Sequence, residues 1–162
     1  MMSKEVLKVL ENDARATPRQ IANMTGLSVG EVEKTIDKAE RDKVILKYKT
    51  VINWEKAGEE WVQALIEVKI QPQRNVGFDA IAERIYRFPE VRSVYLVSGT
   101  YDLAVVVVGK TMHEAAAFVW QKLATLDSVQ GTVTHFLLKR YKEDGEILDG
   151  GSEKGRREPL TL

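Results

Sequence analysis

The sequence predicts an α+β protein in two parts, a small helical module over residues 1–50 and a βαββαβ sheet domain over residues 61–142. Three observations point there. Apolar residues recur at helical spacing as far as residue 43, they alternate with polar ones from residue 61, and a charged, glycine-containing stretch between them reads as a linker over residues 51–60. Residues 143–162 carry glycines among charges without periodicity and are expected to be mostly disordered beyond Leu148.

In the first helix Val6, Leu7, Val9 and Leu10 make one apolar face. The second opens at Thr17-Pro18-Arg19-Gln20: threonine can cap the free backbone N–H groups, proline suits the first helical position, and Gln20 can complete a reciprocal capping box. Ile21, Ala22 and Met24 form its expected buried side, and Gly26 can take the left-handed conformation that ends it. Ser28 with Glu31 repeats the capping box at the start of a third helix, whose Val29, Val32, Ile36 and Ala39 would face inward. Two short helices around Thr25-Gly26-Leu27 match a helix-turn-helix. Val44-Ile45-Leu46 and Val51-Ile52 then suggest a short strand or wing leaving the third helix, which makes the module winged-helix-like.

In the second part Val62, Ala64, Ile66, Val68 and Ile70 alternate with Gln63, Glu67 and Lys69, a half-buried strand ending before Pro72. Phe78, Ile81, Ala82, Ile85 and Phe88 share one side of a helix that Pro89 stops. Val91 to Val97 is a second strand and Ser98-Gly99-Thr100-Tyr101 a turn. Leu103 to Val108 is an uninterrupted apolar run, the pattern of a strand buried on both faces. Thr111 with Glu114 caps another helix with a core side of Met112, Ala115, Ala116, Val119, Leu123 and Leu126, and Val129 to Tyr141 is a long last strand. The order βαββαβ is that of a ferredoxin-like domain, with two helices on one side of an antiparallel sheet. The other side would expose the second faces of Leu103 to Val108 and of Phe136 and Leu138. So large an apolar patch predicts self-association.

Composition narrows the function classes. The chain has no cysteine, which excludes disulfides, thiolate zinc sites and cysteine nucleophiles. No stretch approaches the roughly 20 apolar residues of a membrane span, and MMSKEVLKVLEND has no long apolar core, so no membrane partner and a cytoplasmic location are expected. His113 and His135 lack companions at metal-ligand spacing, so no metal and no cofactor are expected. Trp54, Trp61 and Trp120 read as core or interface anchors. Gly109-Lys110-Thr111 is discounted as a phosphate loop, because the glycine that such a loop needs five positions earlier is Ala104.

Net charge is zero, yet it divides unevenly: residues 1–56 have 11 basic and 9 acidic residues, a balance of +2, against 13 and 15 in residues 57–162, a balance of −2. On the third helix Lys34, Lys38 and Arg41 project opposite Val32 and Ile36, where phosphates and base edges of double-stranded DNA would be met. Glu31 and Asp37 dilute that face, so binding is expected to be modest per subunit. Arg19, Ser28, Gly30 and Glu31 complete the set of candidate DNA-binding residues.

The stretches VLKVLENDARATPRQIANMTGLS, VILKYKTVIN and VRSVYLVSGTYDLAVVV, in this order, resemble the Lrp/AsnC family of leucine-responsive and asparagine regulators over roughly residues 4 to 148. The resemblance implies a transcriptional regulator and no enzyme. It implies a second domain that dimerises through its sheet, often assembles to an octamer, and commonly binds a free amino acid between dimers. It also implies that Gly99, Thr100, Tyr101 and Asp102 form one side of the effector pocket, with Thr132 and Thr134 contributing another. The residue types suit a zwitterion: turn N–H groups can receive a carboxylate, and Asp102 can accept from an ammonium group. The third helix departs from the family in having Lys43 where relatives usually have glycine, Ala39 where leucine is frequent, and fewer arginines. A binding module with weak or no DNA binding is one alternative reading. A siroheme-decarboxylase-like enzyme is another, although Leu46-Lys47-Tyr48-Lys49 has no arginine where those enzymes are arginine-rich.

Overall fold

Both capping boxes form. The structure is a computed structural model that describes residues 3–71 and 77–148, and the chain divides into two units after Ile52.

The first unit holds α1 (Lys4–Asn12), α2 (Pro18–Thr25) and α3 (Val29–Arg41). The Thr17 hydroxyl accepts from the Gln20 N–H while the Gln20 side chain accepts from the Thr17 N–H, and Gly26 ends α2 at φ +74° in the left-handed region. Val6, Leu10, Ile21, Ala22 and Val32 form the core, with Val9, Ala16, Leu27, Ile36 and Ile45 packed against it. Two residues expected to face inward are exposed. Met24 is 70% exposed, because the buried stripe of α2 runs through Ile21 and Ala22 and Met24 falls on its flank, beside an open groove between α1 and α2. Val29 is also exposed, since the first residue of α3 precedes the turn that reaches the core.

No wing strand is found between residues 44 and 52: the N–H groups of Val44 and Ile45 bond back to the Ala39 carbonyl, and the segment then runs on without a ladder partner among the described residues. Its Tyr48 hydroxyl donates to Glu40 on α3 at 2.9 Å.

The second unit contains β1 (Val62–Ile70), α4 (Phe78–Tyr86), β2 (Val91–Leu96), β3 (Leu103–Gly109), α5 (Met112–Phe118) and β4 (Val129–Leu137), an antiparallel sheet in the order β2-β3-β1-β4. Ala64, Ile66, Val68 and Ile70 on β1 and Leu103, Val105 and Val107 on β3 point to the helices, where they meet Ile81, Ile85, Ala115, Phe118, Leu123 and Leu126. Alternation therefore assigned β1 correctly, while the continuous run in β3 has a helix-covered face and an opposite face of Ala104, Val106 and Val108. Register corrects the expected open face on β4. Phe136 pairs with buried Ala64 and packs into the core, so the residues on the uncovered side are Val133, His135 and Leu137. Leu138 lies beyond the strand, 85% exposed.

Helix α5 differs as well. It passes into a π turn at Val119–Leu123, in which the Ala124 N–H reaches back to the Val119 carbonyl. The extra residue per turn brings Phe118 and Leu123 to the same side. Phe118, three positions after buried Ala115, is a core residue absent from the expected stripe, and Met112 at the first position is exposed. Lys122 of this turn pairs with Glu90 and lies over the Phe88 ring.

The last strand ends at Leu137 rather than Tyr141, because its partner β1 begins at Val62 and offers no further backbone. Residues 142–147, ahead of the stretch expected to be disordered beyond Leu148, form a hairpin, β5 (Lys142–Glu143) with β6 (Glu146–Ile147), whose turn has Asp144 and Gly145 at positive φ. The hairpin is followed by a tie: the Asn53 side-chain amide donates to the Leu148 carbonyl at 2.8 Å. The remainder of the expected tail, and Pro72, fall outside the described residues.

Candidate DNA interface and effector loop

The N-terminal turn of α3 is fixed by its own polar residues. The Ser28 hydroxyl accepts from the Glu31 N–H, and the Glu31 carboxylate accepts from the Ser28 N–H at 2.9 Å and from its hydroxyl at 2.6 Å. Two of the seven candidate DNA contacts thus spend their polar atoms on each other and act on the placement of the helix. Hydrogen bonds from the Ser28 side chain and backbone hold the Glu31 carboxyl below its ordinary value, and Lys34 adds to the shift.

That shift has a sign that can be tested. A carboxyl with a depressed folded-state pKa stabilises the fold above its unfolded value and ceases to do so as pH falls through the folded one. Acidification from neutral pH to below the ordinary glutamate range should therefore weaken the native protein relative to Glu31→Gln, which is already in the uncharged state. Urea midpoints at pH 7 and pH 3 measure this. A Glu31→Gln protein with the same acid sensitivity as the native chain would remove Glu31 from the account.

Lys34, Lys38 and Arg41 are exposed on the face opposite the buried Val32 and Ala39. Among the described residues none of the three forms an ion pair with a side chain within 4.0 Å. Gly30 is exposed in the first turn, with no heavy atom within 4 Å of the place a Cβ would take, and Arg19 is exposed at the start of α2. Glu33 and Glu40 lie toward the flank. Glu40 accepts from Tyr48, whose phenol is raised by burial first and by that hydrogen bond second. Sequence reasoning missed this tie, because a pairing eight residues apart across a helix end leaves no pattern to read.

The loop between β2 and β3 is held by Asp102. Its N–H donates to the Val68 carbonyl at 3.0 Å, its carbonyl accepts from Val97 at 2.9 Å, and its Oδ2 accepts from the Ile70 N–H at 2.8 Å. Lys69, absent from the candidates, reaches the same loop: its Nζ lies 3.5 Å from Asp102 Oδ2 and donates to the Thr100 carbonyl at 3.4 Å. Gly99 and Thr100 are exposed and Tyr101 half-buried. Glycine is not forced at position 99 by crowding, since the nearest atom to a built Cβ is Val97 Cγ1 at 4.0 Å. Open access is what it offers.

The two threonines belong to another strand. Thr132 pairs with Val68 and Thr134 with Ile66, and both partners are buried against the helices, so the threonines share that face. Thr132 is level with Asp102 along β1, but β1 stands between them, and two strand spacings amount to about 10 Å. The fold brings the loop and Thr132 to one end of the sheet without contact; Thr134 is one pleat repeat further away. His135, on the uncovered face, lies 3.1 Å from Glu67, and His113 stacks edge-on against Trp120. No group of three metal-ligating side chains occurs among the described residues.

Residues 3–45 match the winged helix-turn-helix DNA-binding family, and residues 63–147, more than half of the chain, match the Lrp/AsnC ligand binding domain. The chain belongs to the Lrp/AsnC family. An HTH-type transcriptional regulator of Bacillus subtilis, YugG, is 52% identical over 153 residues, covering 94% of this chain and 92% of its own. Solved structures with the same fold include a feast or famine regulatory protein from M. tuberculosis complexed with L-methionine, with a TM-score of 0.73 at 22% identity over 91% of this chain and 97% of that one. A transcriptional regulator from Neisseria meningitidis in complex with L-Met has a TM-score of 0.68 at 23% identity, over 86% of this chain and 89% of that one. This Lrp/AsnC protein is a DNA-binding transcriptional regulator, and among its described residues no helix is long and apolar enough to cross a membrane.

Proposed function

We propose that this regulator changes its operator binding or its assembly in response to a free amino acid, acts in the cytoplasm, and has no catalytic activity. The observation that carries the reading is the anchored Asp102 carboxylate on an exposed, glycine-containing loop, within the segment that matches the ligand binding domain. Neighbours of the same fold that hold L-methionine support an amino acid as the class of effector. Lys34, Lys38 and Arg41 meet DNA, with Arg19, Gly30 and the Ser28–Glu31 cap setting the start of the reading helix. Gly99, Thr100, Tyr101 and Asp102 take the effector, with Thr132 at the same end of the sheet and Thr134, one pleat repeat further in, contributing another side. Because Thr132 and the loop do not touch within one chain, a second copy completes the pocket. The uncovered face, with Leu65, Ala104, Val106, Val108, Val133 and Leu137, supplies the dimer contact, and dimers assemble further to an octamer.

Response requires only that the amino acid bind two states of the assembly unequally. Gel shifts on the protein's own upstream region over a salt series, with and without each amino acid that raises Tm, test the proposal. An amino acid that raises Tm and moves the gel-shift midpoint supports it. Unchanged Tm and unchanged shifts across all twenty would sink the effector part.

A further inference from the structure

In the effector loop a fixed anion faces a movable cation. Asp102 is tied through its N–H, its carbonyl and its Oδ2, all at 3.0 Å or less. Lys69 hangs on two long contacts, 3.4 Å to the Thr100 carbonyl and 3.5 Å to Asp102 Oδ2, and its side chain is 48% exposed against 22% for Asp102. A primary ammonium lodged between a carboxylate oxygen and a backbone carbonyl is the arrangement that the α-ammonium of a free amino acid would need: full charge, three donors and no acceptor.

We propose that Lys69 is a tethered stand-in for the ammonium group of the effector: it fills the amine subsite when the pocket is empty and must leave when an amino acid enters. This rests on the effector-loop reading above and adds the identity of the group displaced. The backbone ties make Asp102 the partner that stays, and the flexible stem makes Lys69 the one that moves. Exposed ion pairs are weak, so the stand-in vacates the subsite part of the time, and a ligand meets only that competent fraction. The loop then answers to an amino acid only at concentrations high enough to compete with its own lysine. It also selects for ligands that carry an ammonium group, since only these recover what Lys69 gives up.

The test is calorimetric titration of the full chain with the amino acid that most raises Tm in a screen of the twenty, and with the amide of that amino acid, which keeps the ammonium and lacks the carboxylate. Lys69→Met retains an unbranched stem without charge and should bind both probes roughly three- to tenfold tighter than the native chain. Lys69→Arg keeps the charge and should not tighten. Asp102→Asn can still accept from Ile70 and should abolish binding with or without Lys69. If Lys69→Met binds equally or more weakly while Asp102→Asn abolishes binding, the stand-in idea falls and the effector loop stands. If neither the native chain nor Lys69→Met binds any of the twenty, or if Asp102→Asn binds as the native chain does, both fall together.

Discussion

Alanine at Lys34, Lys38 and Arg41 together should remove specific and non-specific DNA binding alike, by roughly a hundredfold or more near physiological salt, and flatten the salt dependence. The three side chains are the cations on the solvent face of α3, and they are exposed. Each cation that meets a phosphate releases about 0.9 counterions, so a dimer that loses six such contacts should lose about five from the slope of log K against log salt. Fluorescence anisotropy on an operator duplex and on a scrambled one, at several salt concentrations, reads both quantities. The fold should be untouched, because none of the three contributes to the core of the unit. A triple variant with native slope would mean that DNA is held by another surface.

Under the proposed sheet-to-sheet assembly, Val106→Asp should yield monomers. Val106 lies mid-strand on β3, beside Leu65 of β1 and Ser93 of β2, on the face no helix covers. In a sheet-to-sheet dimer two carboxylates would be enclosed without partners, at a cost of several kcal/mol. About 4 kcal/mol corresponds to a thousandfold weaker dissociation constant, enough to separate subunits at micromolar concentration. Light scattering after size exclusion measures the mass, and circular dichroism confirms that the subunit remains folded. DNA affinity should fall with it, since two linked helices act at high effective concentration and one does not. A variant that keeps the native mass would place the contact elsewhere.

What the sequence revealed follows from the range of the interactions involved. Local chemistry was legible: the boxes Thr17–Gln20 and Ser28–Glu31 and the left-handed Gly26 are written in three or four consecutive residues and form as expected. Alternation was legible on β1, where every second residue is buried. Register was not. Phe136 was expected on the uncovered face until its pairing with Ala64 set it among the core residues, and the same register separates Thr132 from Asp102 by a whole strand. The π turn sets Leu123, five positions on, beside Phe118, a spacing that no regular helix has. Lys69 was visible as a polar residue of an alternating strand, but its place against Thr100 and Asp102 depends on how β1 pairs with β3. The strand expected after α3 was not legible for a related reason: residues 44–52 have apolar pairs suited to a strand and, among the described residues, no strand beside them.

The bond from Asn53 to the Leu148 carbonyl joins residues 95 positions apart, the first and the last described residue of the second unit. A domain whose entry and exit are stitched side by side is a cassette: its ends can be rejoined by a short bridge and reopened at another surface turn without crossing the core. The second unit of this regulator is therefore suited to circular permutation, or to transplantation into a different host chain at a single point of attachment.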